Sequence, residues 1–221
     1  MNVLVIAAHP DDEVLGCGGS IAKHAGKGDN VSVCFMCESF SARYESSKWD
    51  GLKDSARRSA DILGVKKIYF FDVPNIRSNT VPMSEITDKI NRCLNEVLPD
   101  VVYTHHCGDV NIDHRVVFDG VMLALRSFGK HPVKEVYCFE VPSSTEWAPS
   151  MEEYQFVPNV FVDISKTEQK KIEAMNAYKS EVKEYPHPRS IEALRLYAEN
   201  WGIKSGMNCP VEAFELVRFG R

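Results

Sequence analysis

The sequence has no apolar run long enough to cross a bilayer. The longest early run, Val3–Ala8, is short against the roughly 20 residues that a spanning helix needs. No basic segment precedes that run, and it reads straight into a polar motif. No secretory leader is visible, and a cytoplasmic chain with no membrane span is expected. An excess of basic charge is missing as well: 26 Lys and Arg against 31 Asp and Glu give a net charge of -5. That balance argues against nucleic-acid binding by bulk charge, which usually shows a basic surplus. Repeats, low-complexity tracts and a linker are absent too, so a single domain over 1–221 is expected. A chain of this length buries roughly 70% of its unfolded surface and needs no staples for its core. The cysteines number seven, an odd count. Most (Cys34, Cys37, Cys93, Cys138) sit in apolar surroundings, which suits buried thiols in a reducing compartment. Cys34 and Cys37 form a C-x-x-C, but inside the apolar run Val31–Cys37 rather than at a helix start, which argues against a redox or zinc role.

What is present is an alternation of short apolar runs and longer helical stretches. Strands are expected at Val3–Ala8, Val31–Cys37, Lys67–Phe71, Val101–Thr104, Val136–Val141 and Val160–Ile164. Helices are expected at Gly16–Gly26, 47–63, Met83–Leu98, 112–127, 165–178 and 189–201, and residues 210–217 read as a last edge strand. Gly64 and Pro99 stand where two of these helices should stop. Continuous apolar strands separated by helices indicate an α/β fold: a mostly parallel, doubly wound sheet with helices on both faces. Ligands in such sheets bind beyond the carboxyl ends of the strands, where strand order reverses. The segments after strands one and four are therefore the place to look. The proline-bearing stretch 142–158 reads as a surface loop that shapes the site.

After strand one comes His9-Pro10-Asp11-Asp12-Glu13. One reading is a solvated turn with Asp11 or Asp12 as a helix N-cap. The other is chemical. An imidazole and a carboxylate three residues apart can converge on one divalent cation, and a catalytic zinc takes three protein ligands with one open position. His9 and Asp12 supply two, and Asp11 is left as a base toward water activated by the metal. Gly16, Gly18 and Gly19 follow, but a dinucleotide loop would need glycine where Ile21 stands. They read as close helix-to-sheet packing.

After strand four comes His105-His106-Cys107-Gly108-Asp109-Val110-Asn111-Ile112-Asp113-His114-Arg115. In the strand order 3-2-1-4, strands one and four are neighbours and the two polar clusters meet. His114 is then the missing third ligand. Asp113, at a helix start, reads as a cap, a support for the ligands, or both.

Ala8-His9-Pro10-Asp11-Asp12-Glu13 and Asn111-Ile112-Asp113-His114 resemble the two signatures of the LmbE-like, or PIG-L, family of zinc-dependent N-deacetylases. The resemblance extends to Gly16–Gly19, Leu63-Gly64-Val65, Pro188-Arg189-Ser190 and Ala213-Phe214-Glu215, and covers nearly the whole chain. It implies a Rossmann-like fold and removal of an acyl group, usually acetyl, from the amine of an amino sugar or sugar conjugate. It also implies zinc held by His9, Asp12 and His114, with Asp11 as general base. One position departs from the pattern. Several members carry a histidine three residues before the last ligand, and here Asn111 stands there. An amide can donate a hydrogen bond to an oxyanion but cannot shuttle a proton. Either Asp11 performs both proton steps, or His106, His105 or His187 fills in.

Candidate substrate contacts are Arg43 and Tyr44 after strand two, Asn75 and Arg77 after strand three, and His187 and Arg189 in the tail. An arginine there would grip a sugar hydroxyl or an anionic aglycone, and Trp147 would stack on a sugar ring. The competing readings are a non-catalytic sugar-binding or regulatory protein on the same fold and a magnesium-dependent phosphatase. Two histidine ligands disfavour the second, because magnesium prefers oxygen. Nitrogen and carboxylate ligands suit Zn2+ and also Fe2+. The aglycone and a homo-oligomeric state stay open.

Overall fold

A continuous apolar run along the first strand decides the layering. In the computed structural model, which describes residues 1–38, 46–126 and 132–220, β1 (Asn2–Ala7) sends Val3, Val5 and Ala7 into one core and Leu4 and Ile6 into the other. Successive side chains of a strand point to opposite faces, so a strand apolar at every position must be covered on both. Its neighbours are β2 (Asn30–Glu38) and β4 (Val101–His105), both parallel to it. Beyond them lie β3 (Lys67–Pro74) and β5 (Glu135–Phe139), also parallel. The sheet closes with β6 (Val160–Asp163) and β7 (Val211–Phe219), giving seven strands in the order β3-β2-β1-β4-β5-β7-β6. Helices α1 (Asp12–Gly26), α2 (Ser46–Leu63) and α5 (Glu168–Ala177) supply the first core; α3 (Met83–Val97) and α4 (Ile112–Ala124) supply the second. The last helix, α6, spans Ile191–Ser205.

Strand order reverses between β1 and β4, so the crevice between their carboxyl ends is the switch point of the sheet. The residues that follow these two strands, His9–Asp12 and His106–His114, are brought there by the pairing of Val3 with Val101 and Val5 with Tyr103.

Two features differ from the sequence reading. The segment expected at the edge, 210–217, is β7, and it runs antiparallel inside the sheet between β5 and β6. Its buried Val211, Ala213 and Phe214 need cover that an edge strand lacks. Helix α1 begins at Asp12 rather than Gly16 and is interrupted at Cys17, whose φ of -144° is not helical. The interruption frees backbone groups in a buried place. Glu212 of β7 accepts the N–H groups of Gly19 and Ser20 at 2.8 and 2.7 Å. Lys171 of α5 donates to Glu212 at 2.7 Å and to the carbonyl of Leu15 at 2.9 Å. The helix lies so close to the sheet that a Cβ on Gly16 would fall 2.3 Å from the Phe139 ring.

The Lys171–Glu212 pair is buried on both sides. Removing one partner of such a pair leaves an uncompensated charge and costs about 3–5 kcal/mol. Lys171→Met is therefore expected to lose that much stability in urea unfolding, with part of it regained in the Lys171→Met/Glu212→Gln double variant. A single variant as stable as the parent would contradict this account of the kink.

Candidate active site

The chain leaves β1 through His9 and Pro10 and enters α1 at Asp12. Asp11 between them has φ 117°, a region that residues with a Cβ rarely adopt. The tight turn folds Asp12 back on His9, whose backbone N–H donates to Asp12 Oδ2 at 2.8 Å. Around that carboxylate oxygen stand His9 Nδ1 at 3.3 Å, His114 Nε2 at 3.3 Å and His105 Nε2 at 3.5 Å. Asp12 and His114 are buried, yet Asp12 Oδ1 and His114 Nε2 have no hydrogen-bond partner. Native proteins rarely leave buried polar atoms unsatisfied.

Each of the two outer imidazoles also meets a carboxylate on its far side. His9 Nε2 lies 3.0 Å from Asp113 Oδ2, and His114 Nδ1 lies 3.1 Å from Asp109 Oδ2. Those carboxylates are themselves held. Asp113 accepts the N–H of Ile76 at 2.7 Å and the N–H and hydroxyl of Ser78. Asp109 accepts the N–H of Asn111 at 2.8 Å, the Thr145 hydroxyl at 2.7 Å and the Ser144 hydroxyl. A carboxylate behind a histidine orients the ring and raises its basicity toward a metal.

Donor atoms of His9, Asp12 and His114 lie within 4.8 Å of one another, and so do those of His9, Cys37 and Asp113. The orphaned atoms belong to the first set, whereas Asp113 is already saturated by three donors besides His9. Two imidazole nitrogens and one carboxylate oxygen form the ligand complement of an open catalytic zinc site, so the residues present fit a metal. Electrostatics agree. Burial would lower the His114 imidazole, but Asp12 and Asp109 outweigh it and push it up to about 9. Against burial, His114 holds Asp109 at about 2, and His9 does the same for Asp113. The cradle is thus strongly attractive to positive charge.

Asp11 lies beside this cradle. Its carboxylate does not cap α1; Oδ2 pairs with Arg189 Nη1 at 2.8 Å. Burial pushes its carboxyl up to about 7, against the pull of Arg189. Asn111 is the N-cap of α4: its side-chain oxygen accepts the N–H of Asp113 at 2.9 Å. That use of the oxygen leaves the amide N–H groups free to donate.

Other residues singled out in the sequence have different duties. His106 does not face the cradle. Its Nδ1 lies 2.7 Å from Glu215 and its Nε2 lies 3.2 Å from the carbonyl of Tyr154. Both partners are acceptors, so the ring braces the 152–157 segment against β7 and is committed as a donor on both sides. His105 accepts the N–H of Ala8 through Nε2 at 2.8 Å, and burial lowers it to about 3. It is a neutral ring stacked 4.0 Å from His114, not a proton donor. His187 accepts the backbone N–H of Arg189 at 3.0 Å and meets the exposed Trp147 edge-on at 6.4 Å. Arg189, taken from sequence as a substrate contact, commits its guanidinium to Asp11, Ser143 and Glu181. Arg77 is exposed at the start of a short turn, and Asn75 reaches His9 Nε2 at 3.1 Å. Arg43 and Tyr44 lie outside the described residues. Sequence reasoning passed over Asp109 and Ser143–Thr145. Asp109 shares a segment with His114, but nothing in its spacing marks it, and the hydroxyls stand more than 30 positions away.

A family profile described as PIG-L, GlcNAc-PI de-N-acetylase, matches residues 4–125, a span that includes His9, Asp11, Asp12, Asp109, Asn111 and His114. The "uncharacterized deacetylase YaiS" of Escherichia coli K12 is 29% identical over 170 residues, covering 74% of this chain and 82% of that protein. The diacetylchitobiose deacetylase of Thermococcus kodakarensis is 26% identical over 229 residues, covering 93% of this chain and 79% of that protein. Among solved structures, GalB, the 4-carboxy-2-hydroxymuconate hydratase of Pseudomonas putida, has a TM-score of 0.77 at 24% identity, over 100% of this chain and 98% of its own. That likeness speaks to the fold alone, since one fold hosts unrelated reactions.

The support behind His114 is open to measurement. Asp109→Asn keeps the size of the side chain and removes the charge facing His114. It is expected to weaken zinc retention against a chelator by about 10–100-fold with the fold intact by circular dichroism. Unchanged retention would remove Asp109 from the site.

Proposed function

Because this chain belongs to the PIG-L family, we propose that it hydrolyses the N-acyl amide, chiefly N-acetyl, of an amino sugar or sugar conjugate, releasing acetate and the free amine. The observation that carries this reading is the buried, unpartnered pair Asp12 Oδ1 and His114 Nε2 with a carboxylate, Asp11, next to them that caps nothing. A sugar-binding module needs a cradle but no free base beside it. Zinc is the ion that the two-nitrogen, one-oxygen set favours, with Fe2+ as the alternative; His9, Asp12 and His114 would hold it. A divalent ion there supplies Lewis acidity, polarising the amide carbonyl and acidifying water.

The chain's own residues do the rest. Asp11 takes a proton from the attacking water, its orientation set by Arg189. Asn111, with its oxygen tied to the helix, turns its amide N–H toward the oxyanion that develops on the amide carbonyl oxygen as water adds to the carbon. The proton then goes from Asp11 to the leaving nitrogen. His105 and His106 are occupied elsewhere, and His187 spends Nδ1 on the Arg189 backbone beside the exposed Trp147. Both steps are therefore assigned to Asp11, whose raised carboxyl range suits a group that must hold a proton between them. Asp113 and Asp109 keep the two imidazoles turned inward. No helix among the described residues is long and apolar enough to cross a membrane, and the seven cysteines are all free thiols, which supports a cytoplasmic setting.

The test is acetate release from a panel of N-acetylated amino sugars, free, nucleotide-linked and lipid-linked, with the zinc-loaded protein. Asp11→Asn is expected to retain one equivalent of metal while kcat falls by about 10²–10⁴-fold. Full activity in that variant would refute the base assignment. Saturable sugar binding with no acetate from any member would favour the binding module.

A further inference from the structure

Three consecutive residues of the 142–147 loop touch both halves of the site. Ser144 and Thr145 hold Asp109, which stands behind His114. Ser143 turns the other way: its hydroxyl accepts from Arg189 Nε at 2.6 Å, and Arg189 Nη1 reaches Asp11 at 2.8 Å. Ser143 is itself fixed, since its N–H donates to Glu146 at 2.7 Å. Its φ is 74°, a conformation that glycine adopts more readily than serine. Ser143 holds this conformation with its hydroxyl engaged by Arg189.

We infer that Arg189 is the positioning residue for Asp11, and that Ser143 fixes the guanidinium from behind. This rests on the deacetylase reading of Asp11. Asp11 occupies the N-cap position of α1 but makes no capping bond, so the helix does not orient its carboxylate. Arg189 does: its planar fork spends Nε on Ser143 and Nη1 on Asp11, with Glu181 3.5 Å from the same nitrogen. A second anchor joins the main chain, where the Arg189 N–H donates to His187 Nδ1. One oxygen of Asp11 is thereby pinned, and Oδ1 makes no hydrogen bond among the described residues, so it is the oxygen that meets water. A lysine cannot reproduce this arrangement, because a single ammonium has no second nitrogen in a fixed plane for Ser143. The loop thus sets the register between the base and the metal ligands, with Ser143 acting on one and Ser144 and Thr145 on the other.

Two variants separate positioning from substrate binding and from folding. Arg189→Ala is expected to keep its metal equivalent and its KM within about twofold while kcat falls by about 100-fold, the scale of an ångström-level misplacement. Millimolar guanidinium should restore part of it. Ser143→Gly should melt at or above the parent's temperature, because glycine is at home at this φ, yet lose kcat by about three- to tenfold. A raised KM with unchanged kcat in Arg189→Ala would make Arg189 a substrate grip and overturn the inference; full kcat in Ser143→Gly would remove Ser143 from it. Should the parent release no acetate from any substrate, the deacetylase reading fails by itself. Crystal structures of the two variants then decide the positioning claim. An Asp11 carboxylate rotated from its place in the parent supports it, and an unmoved one refutes it.

Discussion

The Asp12 carboxylate is shared. One oxygen takes the backbone N–H of His9 and faces three imidazoles, and the other, though buried, has no partner. A charge taken out of water needs compensation, and the arrangement of the neighbouring residues follows from that. His9 and His114 each turn one nitrogen toward Asp12 and the other toward a second carboxylate. Those second carboxylates are in turn saturated, Asp113 by N–H groups and a hydroxyl of the 76–78 segment and Asp109 by the Asn111 N–H and the 144–145 hydroxyls. The result is three buried carboxylates (Asp12, Asp109, Asp113) around a small volume whose unspent donor atoms converge.

Holding such a cluster requires rigidity in the elements that carry it. The β1–β4 pairing, backed by apolar cores on both faces, places the two polar segments side by side. Helix α1 runs straight off the site and is pressed against Phe139 at Gly16, while its break at Cys17 is repaired by Glu212 and Lys171. The antiparallel β7 therefore does more than extend the sheet. It carries Glu212, which satisfies the break in α1, and Glu215, which fixes His106. Two acids on opposite faces of a late strand brace parts of the chain from the first half of the sequence.

Much of this was legible beforehand. The apolar runs predicted the parallel strands because a strand buried on both faces has to be apolar throughout, and that is a local signal. His9, Asp12 and His114 stood out because four ionisable groups in five residues at a strand-to-helix turn have little packing rationale. The duties of Arg189 and His106 were not legible. Arg189 meets Asp11 across 178 positions and Ser143 across 46, and His106 meets Glu215 across 109. Such pairs leave no periodicity in the sequence, and an arginine near a site looks the same whether it grips a substrate or a neighbouring acid.

The sequence by itself determined the layered α/β architecture, the place of the site at the ends of β1 and β4, and the residue types that suit a metal and a base. Those follow from periodicity and from chemistry concentrated within a few positions. Only the tertiary structure decided which nitrogen of each histidine faces Asp12, which acids stand behind them, that His105 accepts a backbone N–H, and that the 143–145 hydroxyls reach both Arg189 beside Asp11 and Asp109 behind His114. Each of these depends on a side chain's direction and on a partner far along the chain, and both are settled only when the sheet brings the segments together.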